Sequence, residues 1–600
     1  MDIPNVSPYA RSITALIDDS FERNADKVVM RYTDAHDNWI DVTGAEAAAQ
    51  VNAVAKGLIA KGVKPGQTVG IMSRTRYEWT VLDLAIWAAG AIPVPIYDTS
   101  SASQIDWITS DANISLLFVE TAEHATLARK VATDKESPLE EILVIDEGAV
   151  EATAGKGATV DDAVLAERKE SLTHETLATI IYTSGTTGRP KGVRLNHFHF
   201  VRHYAGIAVE LEDVLFQPGA STVLFLTLAH SLARLVEVVL LGAGTVIGFC
   251  PDPTKLVQYL GTFKPTLVLA VPRVFEKVYN SAEQKAAAGG KVKIFRWAAK
   301  QAIEYSEALD TPGGPSAALK LRHKIAYKLV LSKIVAVLGG NAHWAISGSA
   351  PLGARLGHFY RGLGLRVLEG YGLTETTAAS TVNRPSHTKI GTVGTPLPGL
   401  EFKIAEDGEI LLRGDIIFAG YHRNEEATKA SFTADGWLAT GDIGTLDEDN
   451  FLTITGRKKE IIVTAGGKNV APAVLEDRLR AYPLISQCVV VGDARPYIGA
   501  LITIDAEALP NWLKGKGLPA MTVEEASKNE VVREHLDRAV ARANKVVSRA
   551  ESIRRWEIVL EDFTVANGYL TPSMKLKRAQ VMADYADAVD ALYSQAPAGD

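Results

Sequence analysis

Leu177-Ala178-Thr179-Ile180-Ile181-Tyr182-Thr183-Ser184-Gly185-Thr186-Thr187-Gly188-Arg189-Pro190-Lys191-Gly192-Val193 passes from a short β-branched apolar run into a loop of hydroxyls and glycines that ends on a lysine. The run Leu177 to Tyr182 reads as a buried strand. Glycines let a backbone approach a ligand and present its N–H groups, Thr and Ser add side-chain donors, and Lys191 adds a positive charge. That mixture suits a polyphosphate. It is not the common Walker loop, G-x-x-x-x-G-K-[ST]. Counted from Gly185, the second glycine position is Pro190, and Gly192 stands where a Mg²⁺-binding hydroxyl should follow the lysine.

Around this loop the chain alternates helical and strand patterns. Ala45 to Lys61 and Glu78 to Ala89 read as helices. Val69 to Met72, Ala91 to Pro95, Leu116 to Val119, Ile142 to Ile145 and Leu267 to Val271 read as strands. Pro93 and Pro95 give the second of these an edge character. This is the rhythm of an α/β protein. Short strands with turns follow at Leu411 to Gly420, Gly441 to Thr445 and Phe451 to Ile454. Beyond Gly456 a compact α+β unit is expected. Its helix begins at Pro472, its strands run over Cys488 to Val491 and Ala500 to Ile504, and more helix covers Glu524 to Ala550. The expected architecture is therefore a large N-terminal domain, 1–456, of α/β subdomains plus a β-rich subdomain. A small α+β C-terminal domain, 457–600, joins it through a hinge.

Bulk properties exclude several classes. The 600 residues are 47% apolar and 22% charged, with net charge −8, so there is no overall basic bias toward nucleic acid. The two cysteines, Cys250 and Cys488, have no metal-type spacing and fit a reducing compartment. Asp2, Asp18 and Asp19 and the lack of an apolar h-region predict no signal peptide. The most apolar stretch, Val223 to Phe249, is broken by His230, Arg234 and Glu237, which argues against a membrane span. These features predict a cytoplasmic protein. From Lys277 to Ile334 the pattern is helical and basic, and Thr311-Pro312-Gly313-Gly314-Pro315 divides it into two helices. The basic helices at 285–333 read as a solvated face or as a patch for anionic lipid or a phosphorylated cosubstrate, through which the protein would touch a membrane peripherally.

Three further segments carry chemistry. Glu369-Gly370-Tyr371-Gly372-Leu373-Thr374-Glu375-Thr376 offers Gly and Tyr to a flat base, and Thr374 and Glu375 as hard oxygen ligands. Mg²⁺ needs few protein carboxylates when phosphates supply the rest. Gly436 to Asp442, followed by Gly456-Arg457-Lys458-Lys459-Glu460, places a carboxylate after a tight turn, where it can accept both hydroxyls of a ribose. Thr571-Pro572-Ser573-Met574-Lys575-Leu576-Lys577-Arg578 presents lysines able to stabilise charge that develops in nucleotidyl transfer. No nucleophile elbow or Ser-His-Asp order is evident.

These four segments, in this order, resemble the acyl-adenylate-forming superfamily of AMP-dependent synthetases and ligases, over nearly the whole chain. Leu226-Thr227-Leu228-Ala229-His230-Ser231-Leu232-Ala233-Arg234, Val271-Pro272-Arg273-Val274-Phe275-Glu276-Lys277-Val278-Tyr279 and Thr464-Ala465-Gly466-Gly467-Lys468-Asn469-Val470-Ala471-Pro472 are similar to its long-chain fatty acyl-CoA synthetase branch, of bacterial type. The resemblance implies ATP, Mg²⁺ and coenzyme A, with a fatty acid as substrate. It implies that Thr183, Ser184, Gly185, Thr186, Thr187, Gly188 and Lys191 hold the β- and γ-phosphates. Gly348-Ser349-Ala350 and Glu369-Gly370-Tyr371-Gly372 would frame adenine, and Asp442 and Arg457 would bind ribose. Thr374 would touch the α-phosphate, and Glu375 with Thr183 would hold Mg²⁺. His230 would lie near the acyl carbonyl, and Lys575 would bridge the acyl carboxylate and the α-phosphate. Lys459 would be the hinge, and Gly466, Gly467 and Lys468 the face brought in for the CoA step. Much of the superfamily has Gly before the late lysine, where this chain has Met574, and Lys577 competes with Lys575 for the role. Two alternatives stay open: transfer of the acyl group to a carrier-protein thiol, and a non-catalytic nucleotide-binding regulatory protein.

Overall fold

The computed structural model describes residues 10–132, 137–183, 189–571 and 575–594. Its largest sheet has nine strands. Six of them are parallel, in the order Arg366–Tyr371, Trp344–Ser347, Leu267–Leu269, Ser221–Leu224, Val246–Phe249 and Val28–Thr33. Antiparallel strands close both edges: Trp39–Thr43 on one, Thr381–Val382 and Thr395–Pro396 on the other. A second sheet is wholly parallel, in the order Ile92–Ile96, Thr68–Met72, Leu116–Val119 and Glu141–Val144. Pro93 and Pro95 lie on its edge strand, as their missing N–H groups require.

Helices Tyr77–Ala88 and Ser231–Ala243 are apolar on nearly every face and buried accordingly. Each buries ionisable groups that the interior must neutralise: Asp83 on the first, and Arg234 and Glu237 on the second, where the Thr80 hydroxyl donates to Glu237 Oε1. Arg234 Nε donates to Asp83 Oδ2 at 3.1 Å, its Nη2 reaches Oδ1, and both side chains are fully buried. Arg234 Nη1 donates to Thr179 Oγ1, and the guanidinium lies 4.9 Å from the Trp87 ring centroid. The pair thus ties the helix that begins beside His230 to the strand that feeds the loop after Thr183.

The β-rich unit is a four-stranded antiparallel sheet of Leu400–Ile404, Glu409–Gly414, Leu438–Leu446 and Leu452–Arg457. Beyond it, Ile485–Val491, Ile498–Ile504 and Ile553–Val559 form a three-stranded sheet with its own core, including Leu475, Leu479, Ile502, Leu536 and Ala539. Helix Pro472–Arg480 begins at its proline as expected. The C-terminal helical stretch stops earlier than expected: helix Glu530–Ala543 ends before a short 3₁₀ turn, Asn544–Val546.

The basic segment also differs from expectation. Helices Pro272–Ala288, Val292–Leu309, Ala317–Ala326 and Ser332–Val337 replace two longer ones. Gly289-Gly290 interrupts the first pair, Gly290 with φ +69°, and a π-helical turn at Tyr327–Leu331 links the last. No helix among the described residues is long and apolar enough to cross a membrane.

Candidate active site

The strand Leu177–Thr183 pairs antiparallel with Lys191–Asn196, so Lys191 opens a strand, whereas the lysine of a Walker loop opens a helix. Ser184, Gly185, Thr186, Thr187 and Gly188 lie outside the described residues. The two ends are set: Thr183 stands opposite Lys191, and its Oγ1 donates to the Lys191 carbonyl at 3.4 Å. The Lys191 ammonium lies 5.0 Å from the ring centroid of Tyr421, whose hydroxyl donates to Glu375 Oε1 at 2.7 Å. A cation, a ring and a carboxylate are thus strung in order from three segments remote in sequence.

Glu375 sits on the 3₁₀ turn Thr374–Thr376, just past the C-terminal end of the strand Arg366–Tyr371. The backbone beneath it is tightly packed: a Cβ on Gly372 would lie 1.7 Å from the Ala378 carbonyl oxygen. The buried Thr374 hydroxyl lies 3.3 Å from Ser231 Oγ, at the first turn of helix Ser231–Ala243. His230 is that helix's N-cap, and its Nδ1 accepts from the Leu232 N–H at 3.2 Å. That bond assigns the proton of the neutral ring to Nε2. Burial, and secondarily the positive charge of Lys575, push the His230 pKa down to about 4.

Asp442 stands opposite Arg457 across two antiparallel strands and is buried. Arg457 Nε lies 3.2 Å from its Oδ1, and the Tyr371 hydroxyl donates to its Oδ2 at 2.8 Å. A carboxylate has about four acceptor sites, so both oxygens still have room for ribose hydroxyls. Tyr371 therefore orients Asp442. Glu369 has a different task from the adenine-framing one: its Oε2 accepts the Leu352 N–H at 2.9 Å, tying the 348–352 loop to its strand. Burial raises this carboxyl's pKa to about 7. On that loop Gly348 is buried, and Ser349 holds a left-handed φ of +71°, a conformation disfavoured for L residues.

Lys575 enters from the far end of the chain. Thr571 N–H donates to the Lys575 carbonyl at 2.7 Å, and Lys575 N–H returns to Thr571 Oγ1 at 3.0 Å, closing the loop that presents it. Its amine feels Arg457, Asp442, Glu375 and Glu460 as neighbouring charges. Its side chain keeps solvent access while protein surrounds the amine. Burial first, then Arg457, lowers its pKa from the usual lysine value. Lys575 is also the lysine whose charge acts on His230.

Not every expected residue joins this constellation. Gly466, Gly467 and Lys468 are solvent-exposed on the hairpin between Ile462–Val463 and Asn469–Val470, and Lys468 pairs with Glu551 at 3.1 Å. Lys459 is exposed on the 3₁₀ turn Lys458–Glu460, which joins the strand ending at Arg457 to that hairpin. Its neighbour Lys458 binds Asp407 at 2.6 Å and Glu409 at 2.7 Å. Tyr421 and Ser231 were not anticipated from sequence. Ser231 directly follows His230 in the sequence, whereas Tyr421, after Gly420, carries no motif.

Comparison with known proteins gives the family. Residues 17–422 match the AMP-binding enzyme family, and residues 459–597 match the AMP-binding enzyme C-terminal domain. The chain belongs to the AMP-binding enzyme family. It is 51% identical over 561 residues to the long-chain-fatty-acid–CoA ligase FadD15 of Mycobacterium bovis, covering 93% of each chain. It is 32% identical to the peroxisomal long chain acyl-CoA synthetase 7 of Arabidopsis thaliana, over 93% of this chain and 82% of that one. Its fold is similar to the adenylation domain of a carboxylate reductase from Mycobacterium chelonae, with TM-score 0.75, 22% identity, and coverage of 99% of this chain and 92% of that one. It is likewise similar to ATP-bound MatB from Rhodopseudomonas palustris, with TM-score 0.67, 24% identity, and coverage of 96% and 99%.

Proposed function

We propose that this chain is an AMP-forming long-chain fatty acid–CoA ligase, which joins a fatty acid to ATP as acyl-AMP with release of pyrophosphate, then passes the acyl group to the thiol of CoA with release of AMP. The observation that carries the reading is the arrival of Lys575, from the last thirty residues of the chain, among Glu375, Asp442 and Arg457. The long-chain acid and the CoA are supported by the relatives that share half of its sequence.

A carboxylate is a poor acyl donor because oxide would have to leave. Joining it to the α-phosphorus requires two anions to meet, so the work of the site is charge neutralisation and positioning. Lys575 would lie between carboxylate and α-phosphate, Thr374 would donate to the α-phosphate, and Lys191 with the loop Ser184–Gly188 would hold the departing pyrophosphate. Asp442 and Arg457 would anchor ribose. Neutral His230, protonated at Nε2, would act as a donor near the acyl group. Glu375, one carboxylate beside hydroxyls, fits the sparse protein ligation that Mg²⁺ takes when phosphates complete its shell. Thr183 would assist it, and the ion would supply further neutralisation of the phosphates.

In the second half-reaction the thiol sulfur attacks the acyl carbonyl and the AMP phosphate leaves with the bonding electrons. Lys575 and the Gly466–Lys468 face would serve these two steps in turn, exchanged by rotation at Lys459, which sets the domain boundary at Gly456. On this reading the arrangement with Lys575 in and Lys468 paired with Glu551 would serve the first step. The protein would work in the cytoplasm.

The test is ATP, Mg²⁺ and CoA with carboxylates from acetate to long-chain fatty acids, read as acyl-CoA by mass. Acyl-CoA peaking at long chains is expected. Acyl-AMP that accumulates without thioester would favour a carrier-protein thiol as acceptor, and no pyrophosphate exchange at all would leave a regulatory nucleotide binder.

A further inference from the structure

A Walker loop follows its lysine with a hydroxyl, and here Gly192 stands in that place. The packing gives the reason. A Cβ on Gly192 would lie 2.7 Å from Ile180 Cγ2, 3.1 Å from Tyr182 Cζ and 3.2 Å from His422 Cβ. The segment 419–422 is laid against the strand Lys191–Asn196 at this point. Ala419 N–H donates to the Arg194 carbonyl at 3.1 Å, Arg194 N–H to the Gly420 carbonyl at 3.1 Å, and His422 N–H to the Gly192 carbonyl at 2.7 Å. A side chain at 192 would push into that seat. Tyr421 is thus fixed beside the strand that Lys191 opens, and it is held elsewhere too. Its N–H donates to Thr428 Oγ1 at 2.9 Å, and its ring meets Phe418 edge-on at 4.9 Å. Phe418 N–H in turn donates to the Glu375 carbonyl at 2.8 Å. The tyrosine is therefore anchored on both of the segments it stands between.

Lys191 and Glu375 carry opposite charges, yet neither has an ion-pair partner among the described residues. Each meets a different part of one side chain: the ammonium lies over the Tyr421 ring, and Glu375 Oε1 accepts from its hydroxyl. A direct pair between them would neutralise both and use up the groups that a metal-bound triphosphate needs. An aromatic face orients an ammonium without cancelling its charge, and leaves its three N–H donors free. A phenol hydroxyl gives the carboxylate one hydrogen bond and leaves its charge and its second oxygen. We infer that Tyr421 is a positioning residue that holds Lys191 and Glu375 apart, keeping the cation for the terminal phosphates and the carboxylate for the metal ion those phosphates carry. The inference rests on the ligase reading for the identity of the ligand. The ring keeps the lysine in place and the hydroxyl keeps the glutamate in place, so the two ends of the side chain are separable by substitution.

The experiment is calorimetric titration of ATP into the full-length protein, without any carboxylic acid, once in excess Mg²⁺ and once in EDTA. No turnover is needed for this readout. Tyr421→Phe keeps the ring and removes the hydroxyl. It should weaken ATP binding roughly tenfold in Mg²⁺, the scale seen when the hydrogen-bond partner of a metal ligand is lost, and leave binding in EDTA as it was. Tyr421→Leu removes both ends and should also weaken binding in EDTA, by roughly three- to fivefold, because Lys191 is then free to pair with Glu375. Adding Glu375→Gln to Tyr421→Leu should recover that metal-free loss, since no carboxylate remains to capture the lysine. In pyrophosphate exchange the Phe variant should need roughly ten times more Mg²⁺ for its half-maximal rate. The Phe variant should melt at the parent's temperature, which separates positioning from folding. Parent affinity in Mg²⁺ for the Phe variant, equal weakening in Mg²⁺ and in EDTA, or no recovery in the double variant overturns the inference and leaves the ligase reading standing. A parent that binds ATP in neither condition overturns both.

Discussion

Lys575 is held among four charged neighbours, and its chemistry follows from their sum. Burial and Arg457 lower its pKa, and Asp442, Glu375 and Glu460 oppose them. The folded protein therefore releases this proton at a lower pH than an unfolded lysine does. Between the two pKa values the unfolded chain binds more protons, so this group's contribution to stability rises with pH across that window. The catalytic consequence has the opposite sign. In the role proposed for Lys575 the amine must be charged, so the adenylation rate should fall on the alkaline side at a pH below the ordinary lysine range. The pH profile of pyrophosphate exchange reads this directly. Lys575→Arg should carry that limb to higher pH, because a guanidinium stays charged, and an unmoved limb would assign the ionisation elsewhere. Lys575→Ala should slow acyl-AMP formation by roughly 10²–10³-fold, the scale seen when one preorganised charge-stabilising donor is removed. It should spare thioester formation from supplied acyl-AMP. Equal losses in both half-reactions would defeat the assignment.

At the scale of elements, the buried Asp83–Arg234 pair joins helix Tyr77–Ala88 to helix Ser231–Ala243. Burial raises the Asp83 pKa to about 6 against the opposing pull of Arg234, so the environment tolerates the charge only as a pair. Asp83→Ala should cost about 3–5 kcal/mol by leaving Arg234 uncompensated. Replacing both residues with leucine should cost less than either single change. Denaturant unfolding of the three variants checks this, and additive losses would show that the two residues act separately. Because the N-terminal turn of the second helix carries His230 and Ser231, adenylation should fall along with stability in the single variants. The elements themselves were largely legible: the strand before the loop, the helix from Pro472 and the edge strand with two prolines follow from period and proline chemistry. Tyr421 was not, because a tyrosine after a glycine in a β-rich stretch has no signature. It reaches the site because an isolated bridge holds it to Val193, beside the loop.

For the whole molecule, charge pairs that keep some solvent access link the small domain to the rest of the chain. Arg273 and Asp505 lie 3.6 Å apart, Lys277 and Glu507 3.5 Å, and Lys458 grips Asp407 and Glu409. Pairs with solvent access contribute little each, which suits the rotation proposed for this domain. Lys459→Pro fixes φ at the expected hinge. It should leave pyrophosphate exchange within a few-fold of the parent's and suppress thioester formation, measured with supplied acyl-AMP and CoA. Unimpaired thioester formation would move the hinge elsewhere.

The sequence by itself determined the kinds of element and the inventory of chemistry. Hydrophobic period separates helix from strand, and a polyphosphate site needs glycines, hydroxyls, a lysine and a carboxylate wherever they fall. Only the tertiary structure decided which of those groups meet. It put Tyr421 between Lys191 and Glu375, turned the Glu369 carboxyl to the Leu352 backbone, and brought Lys575 in while leaving Gly466–Lys468 out. It also left Leu321, Ile325 and Leu329 exposed, because a periodic pattern shows that a helix has an apolar row but not whether the rest of the chain covers it.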